Sequence, residues 1–558
     1  MATPLDDHGA TLLMPPEGRT APAPLSRSGD LAVSKSSAIS GLMYRNLLSV
    51  GFFTLLSRGT GFLRDVVLGA VLGSGVLADA FYIAFRLPNH FRTIFGEGAF
   101  NAAYVPSYSR VLETEGETQA KSFSSQIFTL LLASQVLFLA LAWMFTPQLI
   151  ELLAPGFDAD PEKMQLAVTM TRITFPYLLF ITLVTLHSGT LNANGRFVAA
   201  AFAPVLLNVV MVMFLAVAFL FPNAGIAASY GITVSGVAQL ALMMVAARRA
   251  RILERLERPH LDSRVRQFFG ALGPAVIGSA GVQIALFADT IIGSMLPTGG
   301  ISSIYYADRI YQLPIGVIGI AAGTVLLPEM SRRLATGDHG AACHAQNRTM
   351  ALTLALGAPF FVAFLAIPEL IMRGVFMRGR FTAEAASASA AVLAAYGIGI
   401  LAIVLIRSAV ASFQAHGDTR TPMLVSLFAV AINVALKIVL FRPYGAAGLA
   451  TATAVGAWIN FALLCLLAIR EGSMRPDVTL GKVGLAVAFA SALLLGVAIF
   501  GDAPAARLAG AVGHFVTETH LVLLALAGST VYALALLAGL RALGIRLARA
   551  NGKGKAEF

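Results

Sequence analysis

Only two cysteines stand in the 558 residues, Cys343 and Cys465, and they stand apart. With no CxxC pair and no Cys/His cluster, neither a disulfide framework nor a zinc site is indicated. Charge is scarce as well. Asp, Glu, Lys and Arg make up 12% of the chain against 57% hydrophobic residues, which excludes an ordinary set of soluble domains. Signatures of covalent chemistry are also missing: there is no Walker A loop, no HExxH, no GxSxG and no carboxylate pair in an extramembrane domain. The longest internal connection, Arg248 to Gln267, is too short to hold one. A non-enzymatic membrane protein without cofactor or metal is expected, driven by an ion gradient, the membrane potential or downstream use of its substrate.

The first 40 or so residues lack an apolar stretch followed by a small-residue cleavage site, so they do not read as a signal peptide. Their Pro, Ser, Gly and charge content predicts a disordered cytoplasmic tail over residues 1–44.

What fills the rest of the chain is apolar sequence in lengths of about 20 residues, the length of a membrane span. Segments near 46–72, 78–108, 123–146, 165–192, 198–221, 224–247 and 268–296 are followed by others near 300–330, 350–372, 386–413, 421–441, 445–469, 482–501 and 519–541. The expected fold is an all-α polytopic membrane protein of about fourteen helices. The formal charge of +11 sits mostly in short loops, as topology demands, and does not argue for nucleic acid. The Arg248–Gln267 connection carries seven arginines and is expected in the cytoplasm, with both chain termini on the same side. Arg373, Arg378 and Arg380 are exceptions that would face outward unless they dock onto the protein.

An internal repeat lies about 220 residues apart. SGTLNANGRFVAAAFAPVLLNVV resembles ASFQAHGDTRTPMLVSLFAVAINVA, matching Gly195 with Gly417, Pro204 with Pro422 and Asn208 with Asn433. An even number of spans separates the copies, so they share a topology and are expected to be related by an axis along the membrane normal. That predicts an N-lobe of six helices (45–248), a basic linker (249–267), a second six-helix lobe (268–470), an added helix pair (471–543) and a basic tail (544–558) around a central cleft.

The chemistry concentrates between Leu55 and Phe100. Arg58, Arg64, Asp65, Asp79, Arg86, Arg92 and Glu97 interrupt apolar sequence there, each at roughly 2.5 to 3.5 kcal/mol if left at the centre of a span. Charges that costly either pair internally, as Arg64 with Asp79 or Arg92 with Glu97, or line a cavity. Basic groups remain in excess, and arginine's planar fork suits phosphate oxygens, so a cationic, anion-binding cleft is expected. Asp308 and Arg309 add charge from the second lobe. Tyr305, Tyr306 and Tyr311 read as interfacial belt residues. Asp289, alone in its span, is left open between a cation or proton site and a pair with a polar neighbour. The last two spans are bland, a lipid-facing scaffold or an apolar groove for a hydrocarbon tail.

SRGTGFLRD and RLPNHFRTIFGEGAF, with TRITFPYLLF, AFAPVLLN, YYADRIYQLPIGVIGIAAGTVLLP, RGRFTAE and HGDTRTP, resemble the MurJ (MviN) lipid II flippases of the multidrug/oligosaccharidyl-lipid/polysaccharide exporter superfamily. The resemblance implies a two-lobed, fourteen-helix fold whose extra helices form a lipid groove. It also implies movement of an undecaprenyl-diphosphate-linked peptidoglycan precursor across the bacterial cytoplasmic (inner) membrane by alternating access, for cell-wall synthesis. Lipid II, membrane lipids and the cell-wall synthesis machinery are the implied partners. Arg58, Arg64, Arg92 and Arg309 match the family's cavity arginines and would bind substrate; Asp65, Asp79 and Glu97 match its acids and would gate. Asp289 and Asn433 match positions near which some members hold sodium. Here the residue four after Asn433 is Lys437, whose ammonium would take the ion's place. The alternatives within the superfamily are a polysaccharide-unit flippase and a cation-coupled drug exporter, the latter expected to have an acid-lined cavity.

Overall fold

The computed structural model of the chain describes residues 28–92, 99–260, 262–513 and 515–545, with the backbone alone for 28–48, 91–92, 99, 277–285, 320–321 and 324. The chain divides into a first unit ending at Phe52 and a second from Phe53 to Phe558. The architecture is all-helical, with no strand among the described residues. The helices before the linker are α1 (Ser28–Leu72), α2 (Val76–Arg92), α3 (Ala99–Glu115), α4 (Glu117–Met144), α5 (Thr146–Leu153), α6 (Pro161–Thr174), α7 (Pro176–Ala193), α8 (Val198–Ala216) and α9 (Ala224–Arg249). After it come α10 (Ser263–Ser294), α11 (Gly300–Pro314), a π turn (Ile315–Gly319), α12 (Ile320–Ala335), α13 (His339–Ala366), α14 (Pro368–Phe376), α15 (Ala383–Ala415) and α16 (Arg420–Arg470). The last are α17 (Val478–Phe500), α18 (Asp502–Gly510) and α19 (Val516–Ala542).

Helix α1 starts at Ser28, so residues 28–44 are helical and not the disordered tail expected from composition. The last proline of the tail is Pro24, and beyond it nothing breaks the helical ladder. Residues 1–27 lie outside the described part. The glycines of α1 do not break it before Leu72.

Nine helices among the described residues are long and apolar enough to cross a membrane. One of them, α16, is two helices folded back across Gly445 (φ 55°, ψ −136°), two residues after Pro443. Its halves correspond to the two segments read near 421–441 and 445–469. Helices α2 and α11, which carry cleft charges, have only 17 and 15 residues. The chain continues from α11 through the π turn into α12, an insertion that accommodates Pro314 without ending the run.

Small residues let the second lobe pack closely. A Cβ on Gly399 would lie 2.6 Å from the Cα of Ala454, so α15 and α16 meet nearly backbone to backbone. Helices α17 and α19 pack on each other and on α13, where Tyr532 Oη donates to the Ala355 carbonyl at 2.7 Å. Of the three outlying arginines, Arg378 bonds to another element, Arg373 pairs within its own helix and Arg380 is held by its backbone, with its side chain exposed. Arg378 donates to the Gly374 and Val375 carbonyls and to Glu518, Arg373 pairs with Glu369, and the Arg380 amide donates to the Ala70 carbonyl. The chain approaches α1 there through Gly379, whose φ of 57° leaves no room for a side chain.

Candidate functional site: a charged cleft closed at one end

Asp65 is the hub of the cleft. Arg64 donates from Nε and Nη2 to Asp65 Oδ1 at 3.0 and 2.8 Å, and Tyr305 Oη donates to the same oxygen at 3.0 Å. Arg309 Nε lies 4.0 Å from Oδ2, and its guanidinium sits 4.6 Å over the Tyr305 ring. The third fork of Arg64, Nη1, donates to Asn208 Oδ1 at 2.9 Å, while Asn208 donates to the Ser57 carbonyl and to Thr60 Oγ1. Thus α1, α8 and α11 meet around one carboxylate. Arg64 pairs with its neighbour Asp65, not with Asp79, because Asp79 is taken elsewhere.

Asp79 is wholly buried and accepts from Lys163 Nζ at 2.9 Å and from the backbone amides of Gly299 and Ser302 at 2.8 and 2.9 Å. Those amides open α11, so a carboxylate of one lobe caps a helix of the other. Ser74 Oγ lies 2.8 Å from Ser302 Oγ, Tyr306 Oη donates to the Gly73 carbonyl, and Gly156 donates to Ser294 Oγ. Tyr82 stacks on Tyr305 at 3.9 Å and meets Tyr306 edge-on at 5.7 Å. This end of the cleft, opposite the linker, is shut by polar and aromatic contacts between the lobes. The belt assignment for Tyr305, Tyr306 and Tyr311 is therefore wrong. All three are buried: Tyr305 and Tyr306 pack against Tyr82 of the other lobe, and Tyr311 stacks on Tyr396 of its own.

Two chambers adjoin behind this closure. The first, of about 470 Å³, is lined by Arg64 with the uncharged Asn101, Ser188, Asn208 and Gln239; the second, of about 450 Å³, by Arg86, Asp289, Asp308, Gln312, Tyr396 and Lys437. Phe85, Asn89 and Arg309 belong to both. Arg58 is exposed, with its guanidinium against Gly316 of the π turn; a Cβ there would come within 2.7 Å of Nη1. No ion pair of Arg58 occurs among the described residues. Arg92 ends α2, and Glu97 lies outside the described residues. Asp289 is not solitary: Lys437 Nζ reaches it across α10 and α16, the arrangement expected if an ammonium stands in for an ion. Asn433 Oδ1 is buried without a partner in the first turn before Lys437.

The sequence singles out neither Lys163 nor Glu254, since a lone charge outside an apolar span carries no signal of burial. The segment after α9 is extended and lies along α4. Glu254 is buried, accepting from Ser124 Oγ at 2.8 Å and Thr190 Oγ1 at 2.7 Å, with His187 Nδ1 at 2.6 Å. The linker amides of Arg255 and Glu257 donate to Ser125 and Thr129 hydroxyls. Burial pushes the Glu254 carboxyl up, but the bond and charge of His187 with the Thr190 hydroxyl outweigh it and hold the group below the usual carboxylate range.

A family model described as lipid II flippase MurJ matches residues 68–532. The chain belongs to the lipid II flippase MurJ family. A probable lipid II flippase MurJ of Rhizobium meliloti (strain 1021) is 41% identical over 443 residues, covering 78% of this chain and 83% of that one. One from Rhizobium tropici is 37% identical over 496 residues, covering 88% and 93%. A solved lipid II flippase MurJ in an inward closed conformation shares the fold at TM-score 0.72 and 23% identity, covering 88% of this chain and 99% of the other. An inward-facing transporter of the multidrug resistance MATE family matches at TM-score 0.63 and 13% identity, covering 74% and 94%. Membership of the family agrees with a multi-pass membrane protein whose ionisable residues face inward.

Proposed function

We propose that this chain carries lipid II, the polyprenyl-diphosphate-linked peptidoglycan precursor, from the inner to the outer leaflet of the bacterial cytoplasmic membrane by alternating access. Family membership supports the substrate. The observation that carries the mechanism is the Asp79 closure, a set of interlobe bonds at one end of a cleft lined with arginines. With fourteen spans and both termini in the cytoplasm, the sealed end is the outer one, and the chain rests with its cleft shut to the outside.

Arg58, Arg64, Arg92 and Arg309 receive the diphosphate and adjoining polar groups. At rest Arg64 is fully engaged by Asp65 and Asn208, so substrate must compete with those bonds. Exchange of partners by Arg64 and Arg309, both near Asp65, supplies the difference in contacts that a switch requires. Asp79 loses Gly299 and Ser302 when the outer end opens, while Lys163 on its own lobe keeps its charge paired; Glu97 joins the gating acids in this proposal because its sequence context, EGAF, resembles the family's. The polyprenyl tail stays along the apolar helices α17 and α19. No coupling ion is assigned, since Lys437 occupies Asp289. An arginine-lined cleft disfavours the drug-exporter reading, and a polysaccharide-unit flippase is separated from this one by substrate alone.

The test is leaflet accessibility of lipid II in cells depleted of the protein, with a periplasmic probe that attacks only delivered precursor. Outer-leaflet precursor should fall while the inner pool rises, and Arg64→Ala at normal protein level should fail to restore it. Unchanged accessibility with no second flippase present would refute the proposal.

A further inference from the structure

The two chambers differ in chemistry more than in size. The first presents amides and hydroxyls around two arginines, Arg64 held by Asp65 and Arg309 shared with the second. The second presents both signs together: Arg86 with Asp289 and Asp308, and Lys437 behind Asp289. Asp289 keeps 37% of its side chain exposed while Lys437 keeps 6%, so the pair turns its carboxylate toward the chamber. Asp308 accepts from Arg309 and Gln312 and also faces in. Three cations, Arg86, Lys437 and the shared Arg309, stand beside these two carboxylates, so a diphosphate placed here would meet negative charge as well as positive. The chamber suits a group of mixed charge.

We infer that the second chamber is a subsite for the peptide of the precursor, with Arg86 receiving a peptide carboxylate and Asp289 a peptide ammonium or amide N–H. This rests on the lipid II reading and deepens it. A peptidoglycan precursor joins a diphosphate, acetamido sugars and a short peptide, and the peptide alone brings free carboxylates and an amine. Neither chamber is larger than a drug-sized pocket, so the head group must divide between them. Arg309, on the shared wall, stands where the diphosphate would lie, with sugar hydroxyls and amides against Asn101, Asn208 and Gln239. Lys437 is a positioning residue: buried beside Asp289, it keeps that carboxylate ionised and aimed into the chamber.

The experiment uses the full chain in lipid nanodiscs and two probes, a short-chain prenyl-diphosphate disaccharide with its peptide and the same molecule without it. The wild type should bind the peptide-bearing probe about tenfold or more tightly, the worth of one charge-assisted hydrogen bond. Arg86→Gln, and separately the charge-balanced double substitution Asp289→Asn with Lys437→Met, should erase that preference and leave the affinity for the peptide-free probe in place. Amidating the peptide carboxylates of the probe should do the same to the unaltered protein, a result independent of whether any variant folds. Equal binding of both probes by the wild type overturns the subsite and leaves the flippase reading standing. Weakening of both probes alike by Arg86→Gln overturns it in favour of a diphosphate site there. Failure of the wild type to bind either probe removes the lipid II reading itself.

Discussion

Asn208 shows how one neutral residue sets the state of a charged site. Its side-chain oxygen takes the last fork of Arg64, and its amide is tied to the Ser57 carbonyl and Thr60 hydroxyl one or two turns earlier on α1. A hydrogen bond to a charged group contributes about 1.5–3 kcal/mol, and Arg64 is buried. Asn208→Ala should therefore reduce lipid II delivery about tenfold at normal expression, by releasing Arg64 from its aligned position. Asn208→Asp should abolish delivery, because a second carboxylate holds the guanidinium against substrate, and should also lower the melting temperature, because an oxygen replaces the nitrogen that donates to the Ser57 carbonyl. Delivery and melting temperature measured on the same variants distinguish the two effects. In the sequence Asn208 was visible only as a repeat marker, matched with Asn433. The copies have diverged in use: Asn208 is saturated, while Asn433 leaves its oxygen unpartnered beside Gly456.

At the scale of an element, the linker between the lobes is held by chemistry that its composition conceals. Seven arginines between Arg248 and Gln267 dominate its composition, but the residue that fixes it is Glu254, with both oxygens satisfied by α4 and α7. Truncation to Ala would strand buried hydroxyls and an imidazole, at about 1–3 kcal/mol for each orphaned group. Glu254→Ala should thus expose linker amides to hydrogen exchange. The pH dependence follows from the depressed carboxyl. A group more acidic in the docked state contributes its stabilisation fully above its ordinary pKa and loses it as pH falls through the lowered one. Linker amides should stay protected at about pH 5 and exchange freely only in stronger acid; loss of protection already near neutrality would contradict the Glu254 assignment. The π turn is a second element with a local cause. It follows Pro314 directly and brings Gly316 against Arg58, where a side chain in place of the glycine would press on the guanidinium.

For the whole molecule, closure of one end is the state that the contacts define. Ser74 and Ser302 come from different lobes, and their hydroxyl oxygens are 2.8 Å apart, close enough for cysteines at these positions to bond. Ser74→Cys with Ser302→Cys should form a disulfide under mild oxidation, stop delivery of lipid II, and regain it on reduction. Delivery that continues with the bond formed would show that this end need not open. Lys163→Met should act in the same sense without a covalent lock. Asp79 would keep only the amides of the other lobe when closed and would have no partner when open, so opening becomes costlier and delivery slows while the resting state persists.

The sequence by itself determined the helical, membrane-spanning character, because apolar runs of span length leave no other way to satisfy the backbone in lipid. It also marked the cleft, since charges inside such runs are too costly to face hydrocarbon, and so Arg58, Arg64, Asp65, Asp79 and Arg309 stood out. Partnership was decided by the tertiary structure alone. Arg64 chose its neighbour Asp65, Asp79 chose Lys163 and two amides from the other lobe, and the tyrosines around residue 305 turned inward. Periodicity fixes which face of a helix a residue occupies, but not which helix comes to lie against it. In a fold of two lobes that choice depends on residues more than two hundred positions apart, and it distinguishes a belt from a gate.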